Sequence, residues 1–216
     1  MTKISNIIFG VLLFFVTGSL SAMDWSLNGA IERSSFDEKN NLTVGRYEGP
    51  LSGIRFGGAL HFHDPLELSH RSEVFIDYFV NGSPEKKRFS SLNLSHALLW
   101  DGVGTAVPYF AIGLGLVQTS GTIPTSNYVD NHHDPYFDNN REPTYVESEG
   151  WQYHLGLGFL APLTELTKLN FSFNRFQYYQ WSISQKRAGN KTTFNSIPAG
   201  NTVDYYVVSA GVEYQL

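Results

Sequence analysis

Ser209-Ala210-Gly211-Val212-Glu213-Tyr214-Gln215-Leu216, the last eight residues of the sequence, alternate without a break. Ala210, Val212, Tyr214 and Leu216 share one parity; Ser209, Gly211, Glu213 and Gln215 share the other. A period of two places these sets on opposite faces of a β-strand, one apolar and one small or polar. Chain ends ordinarily fray into water, so an apolar residue at the final position is expected where the strand end is held by a neighbour. The pattern therefore predicts more alternating segments upstream.

Seven can be read. Asp24 to Ser34 sets Trp25, Leu27, Gly29 and Ile31 against Ser26, Asn28, Ala30 and Glu32. Leu51 to Phe62 sets Ile54, Phe56, Leu60 and Phe62 against Gly53, Arg55, Gly57 and Ala59. Arg71 to Asn81 sets Val74, Ile76, Tyr78 and Val80 against Glu73, Phe75, Asp77 and Phe79, and Ser91 to Trp100 sets Leu92, Leu94, Leu98 and Trp100 against Asn93, Ser95 and Ala97. Val107 to Val117 alternates Phe110, Ile112, Leu114 and Leu116 with Tyr109, Ala111, Gly113 and Gly115. Trp151 to Leu160 alternates Trp151, Tyr153, Leu155, Leu157 and Phe159 with Gln152, His154, Gly156 and Gly158. The seventh starts at Lys168, with Leu169, Phe171 and Phe173 opposite Asn170, Ser172 and Asn174; the eighth runs from Thr202 to the end.

Most of these segments are near the ~9–11 residues that a tilted transmembrane strand needs. An even number brings both termini to one side. The connections alternate in length: Phe62–His70, Asp101–Ala106 and Ala161–Thr167 are shorter, whereas Ser35–Pro50, Gly82–Ser90, Gln118–Gly150 and Lys186–Asn201 are longer. The predicted fold is all-β: an eight-stranded antiparallel up-and-down transmembrane β-barrel with short periplasmic turns and longer extracellular loops. A mean hydropathy of −0.20 agrees with it, because only alternate strand residues face lipid while lumen and loops are polar.

The beginning of the sequence fits the same location. Lys3, the apolar run Ile7 to Val16 and the small residues Ser19-Leu20-Ser21-Ala22 form a secretory signal, and the run is shorter than the ~20 residues of a spanning helix. Residues 1–22 are expected to be cleaved, leaving residues 23–216 as one barrel domain. A formal charge of −5 argues against a nucleic-acid partner, and the absence of cysteine excludes disulfides and thiolate metal sites. Aromatic residues gather at predicted strand ends: Trp25, Trp100, Tyr109 and Tyr214 at the inner rim, Trp151, Tyr78, Trp181 and Tyr206 at the outer. Such girdles anchor a barrel at both interfaces.

Two sets of residues carry a resemblance. Gly211-x-x-Tyr214-x-Leu216 resembles the C-terminal signal of bacterial outer-membrane barrels, although those most often end in Phe. Pro108-Tyr109-Phe110-Ala111-Ile112-Gly113-Leu114-Gly115-Leu116 is similar to the fifth strand of the small outer-membrane barrels grouped with OmpA, OmpW and the opacity proteins. Gly156-Leu157-Gly158, followed by a short turn, repeats the Gly-x-Gly pattern. The resemblance implies an integral protein of the Gram-negative outer membrane, in contact with lipid and lipopolysaccharide and inserted by the barrel-assembly machinery. It does not imply one activity, since fold does not fix function.

Lumen-parity residues Glu32, Arg55, Glu73, Asp77, His154 and Glu213 are expected to form a polar core with ion pairs around Arg55, because small eight-stranded barrels are filled by side chains. Arg175 conflicts with strict alternation: facing lipid near the midplane it would cost roughly 2–4 kcal/mol. A β-bulge near Asn174–Phe176 would turn it inward and Phe176 and Tyr178 outward; otherwise it must sit high enough to snorkel. Lipid A deacylases use a His-x-Ser pair, and the one instance here, His70-Arg71-Ser72, falls in a predicted periplasmic turn, away from a substrate in the outer leaflet. The late strand Asn174-Arg175-Phe176-Gln177 has no His or Ser, and the His, Asp and Ser set of the palmitoyltransferase barrels finds no match. Asp130-Asn131-His132-His133-Asp134 with Asp138 has donors suited to a divalent cation, but adjacent histidines in an acidic loop are ordinarily solvated. No catalytic, cofactor or metal residue is assigned. The expected role is non-enzymatic, through external loops that meet a host or matrix ligand in adhesion, host interaction or envelope integrity. The alternatives are an OmpW-like channel for small hydrophobic compounds and, behind it, a lipid A-modifying enzyme.

Overall fold

The computed structural model describes residues 23–36, 50–63, 68–80, 88–100, 105–123, 144–187, 190–194 and 202–216; the expected signal segment and the Asp130–Asp138 cluster lie outside them. The strands are β1 (Met23–Phe36), β2 (Leu51–His63), β3 (Leu68–Val80), β4 (Arg88–Trp100), β5 (Val107–Ile123), β6 (Thr144–Pro162), β7 (Thr167–Arg187), β8 (Asn190–Phe194) and β9 (Thr202–Gln215). Antiparallel pairing runs from β1 through β6 to β7, on to β9 and back to β1, so eight strands close on themselves. β8 lies outside the ring and folds back on β7 as a short hairpin, Ile183↔Phe194 to Arg187↔Asn190. Alternation alone assigns this stretch to a loop. It likewise ends the fifth strand at Val117, whereas β5 and β6 continue as a paired ribbon to Ile123↔Thr144.

Closure has a defined stagger. A row of paired residues leaves β1 at Trp25, passes Leu60, Ser72, His96, Ile112, Leu155, Arg175 and Tyr206, and meets β1 again at Ser35. The return point is ten residues further along (35 − 25). Such a stagger accompanies a strand tilt of roughly 35–45°. Each step along the row therefore climbs about 3 Å toward the outer rim.

Alternation sorts side chains as the sequence pattern predicts. Leu27, Ile31, Ile54, Phe56, Val74, Ile76, Ile112, Leu114, Leu155, Leu157, Val208 and Val212 are exposed on the outer surface, while their neighbours Ser26, Asn28, Glu32, Glu73, Asp77, Ala111, Gln152, His154 and Glu213 are buried inside. Trp25, Trp100 and Tyr214 mark the rim near the termini, and Tyr78, Trp151, Trp181 and Tyr206 mark the other. Tyr109 departs from its expected place in the inner girdle. It has lumen parity, is 5% exposed, and donates from its hydroxyl to Asn170 Oδ1 at 2.8 Å.

The Gly-x-Gly segments have a steric cause. A Cβ at Gly113 would come closer than 3.0 Å to the His154 ring, one at Gly115 to the Asn93 amide, one at Gly156 to Asn174, and one at Gly158 to the Tyr109 ring. These glycines are the hollows into which the large lumen side chains fit. Gly29, by contrast, meets only Arg55 O at 3.9 Å. Gly113→Val and Gly158→Val are expected to destabilise the barrel by about 1–3 kcal/mol or more through overpacking, and Gly29→Ala to stay within ~0.5 kcal/mol. Urea unfolding from vesicles, followed by tryptophan fluorescence, measures the difference.

Candidate functional site

The lumen holds most of the chain's buried polar chemistry, in two tiers. In the lower tier Arg71, from β3, reaches Glu73 Oε2 at 2.9 Å and Glu213 Oε2 at 2.8 Å. Glu213, from β9, also lies 2.5 Å from His61 Nε2 on β2 and accepts from Ser26 Oγ on β1 at 3.1 Å. Asn28 donates to Glu73 Oε1 at 2.7 Å. One carboxylate of the last strand is thereby tied to each of the first three. A small cavity of about 30 Å³ opens at the mouth beneath it, lined by Asp24, Ser26, His61, Leu166, Lys168, Glu213 and Gln215; this is room for a water or two.

In the upper tier Arg55 pairs with Glu32 at 2.9 Å and Asp77 at 2.8 Å, as expected from their spacing on neighbouring strands. Its guanidinium carbon stands 3.8 Å from the centre of the Phe75 ring. Asp77 accepts further bonds from Ser91 and Asn93, Asn93 accepts from Gln152 at 2.7 Å, and Gln152 accepts from the Tyr205 hydroxyl at 2.5 Å. His154 meets Ser95 at 3.1 Å and packs against Phe75 and Phe176.

Above this tier the lumen turns apolar. Leu51, Phe79, Phe89, Val117, Phe176, Tyr178, Val203, Tyr205 and Val207 form one buried cluster, with Phe176 stacked on Tyr205 at 4.8 Å and Phe89 edge-on to Tyr205 at 5.1 Å. Ion pairs below and aromatic rings above fill the interior. Burying charges costs several kcal/mol each unless partners are well placed, and here both guanidiniums have two carboxylates.

Sequence parity finds Glu32, Arg55, Glu73, Asp77, His154 and Glu213, and the structure brings all six into the lumen. It misses Arg71, His61, Asn93, Gln152 and Tyr205 as members of the site. Arg71 shares the parity of Glu73, which is the signal that could have found it, but it stands at the edge of an expected turn. The bulge expected near Asn174–Phe176 is absent: Asn174↔Gly156, Arg175↔Leu155 and Phe176↔His154 pair in unbroken register. Phe176 and Tyr178 therefore point inward, and Arg175 points outward with its side chain 52% exposed. The irregularity falls instead where Glu149 pairs Ser182 and Gly150 pairs Gln180, leaving Trp181 as the extra residue. Arg175 is six steps up the closing row, about 18 Å above Trp25. From there its side chain reaches up to Asp204 at 3.5 Å, toward the outer edge of a ~25 Å apolar band, the snorkelling alternative.

His70-Arg71-Ser72 is likewise not in a turn. All three residues are within β3, paired with Leu98, Ala97 and His96. Arg71 is buried in the lumen, and His70 and Ser72 have the opposite parity, on the outer surface beside His96.

Arg55→Met should strand Glu32 and Asp77 as buried carboxylates and lower stability by about 3–5 kcal/mol. Adding Glu32→Gln and Asp77→Asn to it should recover most of that loss. Denaturant midpoints of the single and triple variants test this.

No family model matches the sequence, and no curated protein matches it. Solved structures do resemble the fold. The neisserial surface protein A superposes with a TM-score of 0.50 at 13% identity, covering 91% of this chain and 98% of that one. A major outer membrane protein of Thermus thermophilus gives 0.52 at 14% identity, covering 88% and 99%. With its lipid-facing band between two aromatic girdles and its filled lumen, the chain has the fold of the small outer-membrane β-barrels, the architecture of the OmpA, OmpW and opacity-protein group.

Proposed function

We propose that this protein is a surface barrel that acts non-enzymatically, through its external loops, in adhesion, host interaction or envelope integrity. Residues 1–22 are removed on export, residues 23–216 are inserted with the barrel-assembly machinery, and the surround is lipid and lipopolysaccharide. The observation that carries this reading is the filled lumen. A conduit for small hydrophobic compounds needs an apolar cavity open toward the outer rim, and that position is occupied by Phe79, Phe89, Phe176, Tyr178 and Tyr205 in mutual contact. On this reading recognition falls to the connections between the outer strand ends, β1 to β2, β3 to β4 and β5 to β6, and to the β7–β8 hairpin.

Two measurements test it. In planar bilayers the purified barrel should give no stepwise conductance; regular channel openings would support the conduit instead. Deleting residues 124–143 should abolish binding to host cells or matrix proteins while leaving the heat-modifiable gel migration of a folded barrel unchanged. Undiminished binding by the deletion variant would remove the longest connection from the proposal.

A further inference from the structure

Hydrocarbon offers a charged side chain no partner, so a membrane-spanning sheet places few on its outer surface. Among the described residues that face outward within the apolar band, two carry a permanent positive charge: Arg33 on β1 and Arg175 on β7. Both are exposed, and they flank one strand. Arg33 pairs with Val208 of β9, and Arg175 pairs with Tyr206 of the same strand. Their backbones are therefore roughly 12 Å apart, two strand spacings across and two residues along. The two are also level. Arg33 lies eight residues beyond Trp25 on β1 (33 − 25), which raises it about 19 Å, against about 18 Å for Arg175. From there each guanidinium can stretch upward to the edge of the band.

Their neighbours are polar in a particular way. Asp204 of β9, 3.5 Å from Arg175, draws that guanidinium over β9 toward Arg33. Tyr206 lies between the two arginines, stacked on Phe173 at 5.8 Å. On the β6 side, Gln177 Oε1 accepts from the hydroxyls of Tyr153 and Tyr179. Those two donors fix the amide and leave its two N–H groups for an acceptor. Gln177 is two residues beyond Arg175, about 23 Å above Trp25. Two guanidiniums against one carboxylate leave this face net positive at the depth where the head groups of the outer leaflet begin.

We infer that β1, β7 and β9 carry a binding site for the phosphorylated sugar head of a glycolipid in the outer leaflet. Arg33 and Arg175 hold the phosphate, because a guanidinium fork matches phosphate oxygens and stays charged at any pH the membrane meets. Gln177 donates to the sugar, and Asp204 accepts from one of its hydroxyls. A bare phosphate would be repelled by Asp204, whereas a sugar hydroxyl satisfies it; the carboxylate thus selects a glycolipid over a plain phosphodiester lipid. The bound phosphate in turn neutralises two cations that would otherwise stand against hydrocarbon. This site does not rest on the adhesive role above, since its ligand is a lipid of the surrounding leaflet rather than a partner at the loops.

The test titrates the full chain, folded in detergent, with purified lipid A and counts bound lipid by native mass spectrometry. The expected result is one lipid A held per barrel. Arg33→Gln and Arg175→Gln, checked for heat-modifiable migration, should each weaken binding about tenfold, and the double variant about a hundredfold. Both remove charge from the lipid face, so folding should survive. Arg88→Gln, an outward arginine on β4 across the barrel, should bind as the wild type does. Dephosphorylated lipid A should bind the wild type no better than lipid A binds the double variant. Phosphatidylglycerol held as tightly as lipid A, or displacement of lipid A by millimolar inorganic phosphate, would overturn the glycolipid assignment. Equal binding by the wild type and the double variant would overturn the site.

Discussion

Hydrocarbon provides no hydrogen-bond partner for a peptide group, and every other feature of this barrel is arranged around that constraint. A sheet within a membrane must leave no edge, so its first strand has to meet its last. Here β1 pairs with β9 from Ser26↔Gln215 to Phe36↔Tyr205. Once the ring is closed, alternation dictates the rest: one set of side chains goes to lipid and the other to an interior too narrow for bulk water.

That interior reverses the usual distribution of polarity without being wholly polar. Its two tiers are ion pairs and amides, and above them sits a cluster of aromatic rings. The two kinds of filling solve one problem differently. Arg55 and Arg71 satisfy four carboxylates at close range, while Phe89, Phe176 and Tyr205 exclude water by shape. Beside them, the glycines of β5 and β6 leave space for the His154, Asn93, Asn174 and Tyr109 side chains. A Gly-x-Gly pattern that looks like a family signature is, physically, the complement of large side chains at the paired positions of the neighbouring strands.

Much of this was legible in the sequence because alternation is local. Eight segments, their faces, six of the lumen ionisable residues and both rims followed from the sequence pattern, with Tyr109 misplaced although its own parity pointed inward. Depth and register were not legible. Whether Arg175 faces lipid at the midplane or near a headgroup depends on a stagger of ten residues accumulated around the ring, which no single strand encodes. The juxtaposition of Ser72 with His96 was hidden for the same reason: it exists only once β3 and β4 choose their pairing. Polar strand ends were also undercounted. Above the apolar band a strand such as Gln118–Ile123 no longer needs an apolar face, so its sequence reads as loop while its backbone remains paired.

Glu213 has a consequence for how the barrel comes into being. It sits on the last strand, and its partners Ser26, His61 and Arg71 sit on the first three. While the seam is open, those groups have no shared carboxylate and remain hydrated. Assembly is therefore coupled to drying: zipping the final strand expels water from the lower lumen and fastens four strands together in the same event. Such a latch favours all-or-none closure and makes a half-closed barrel short-lived.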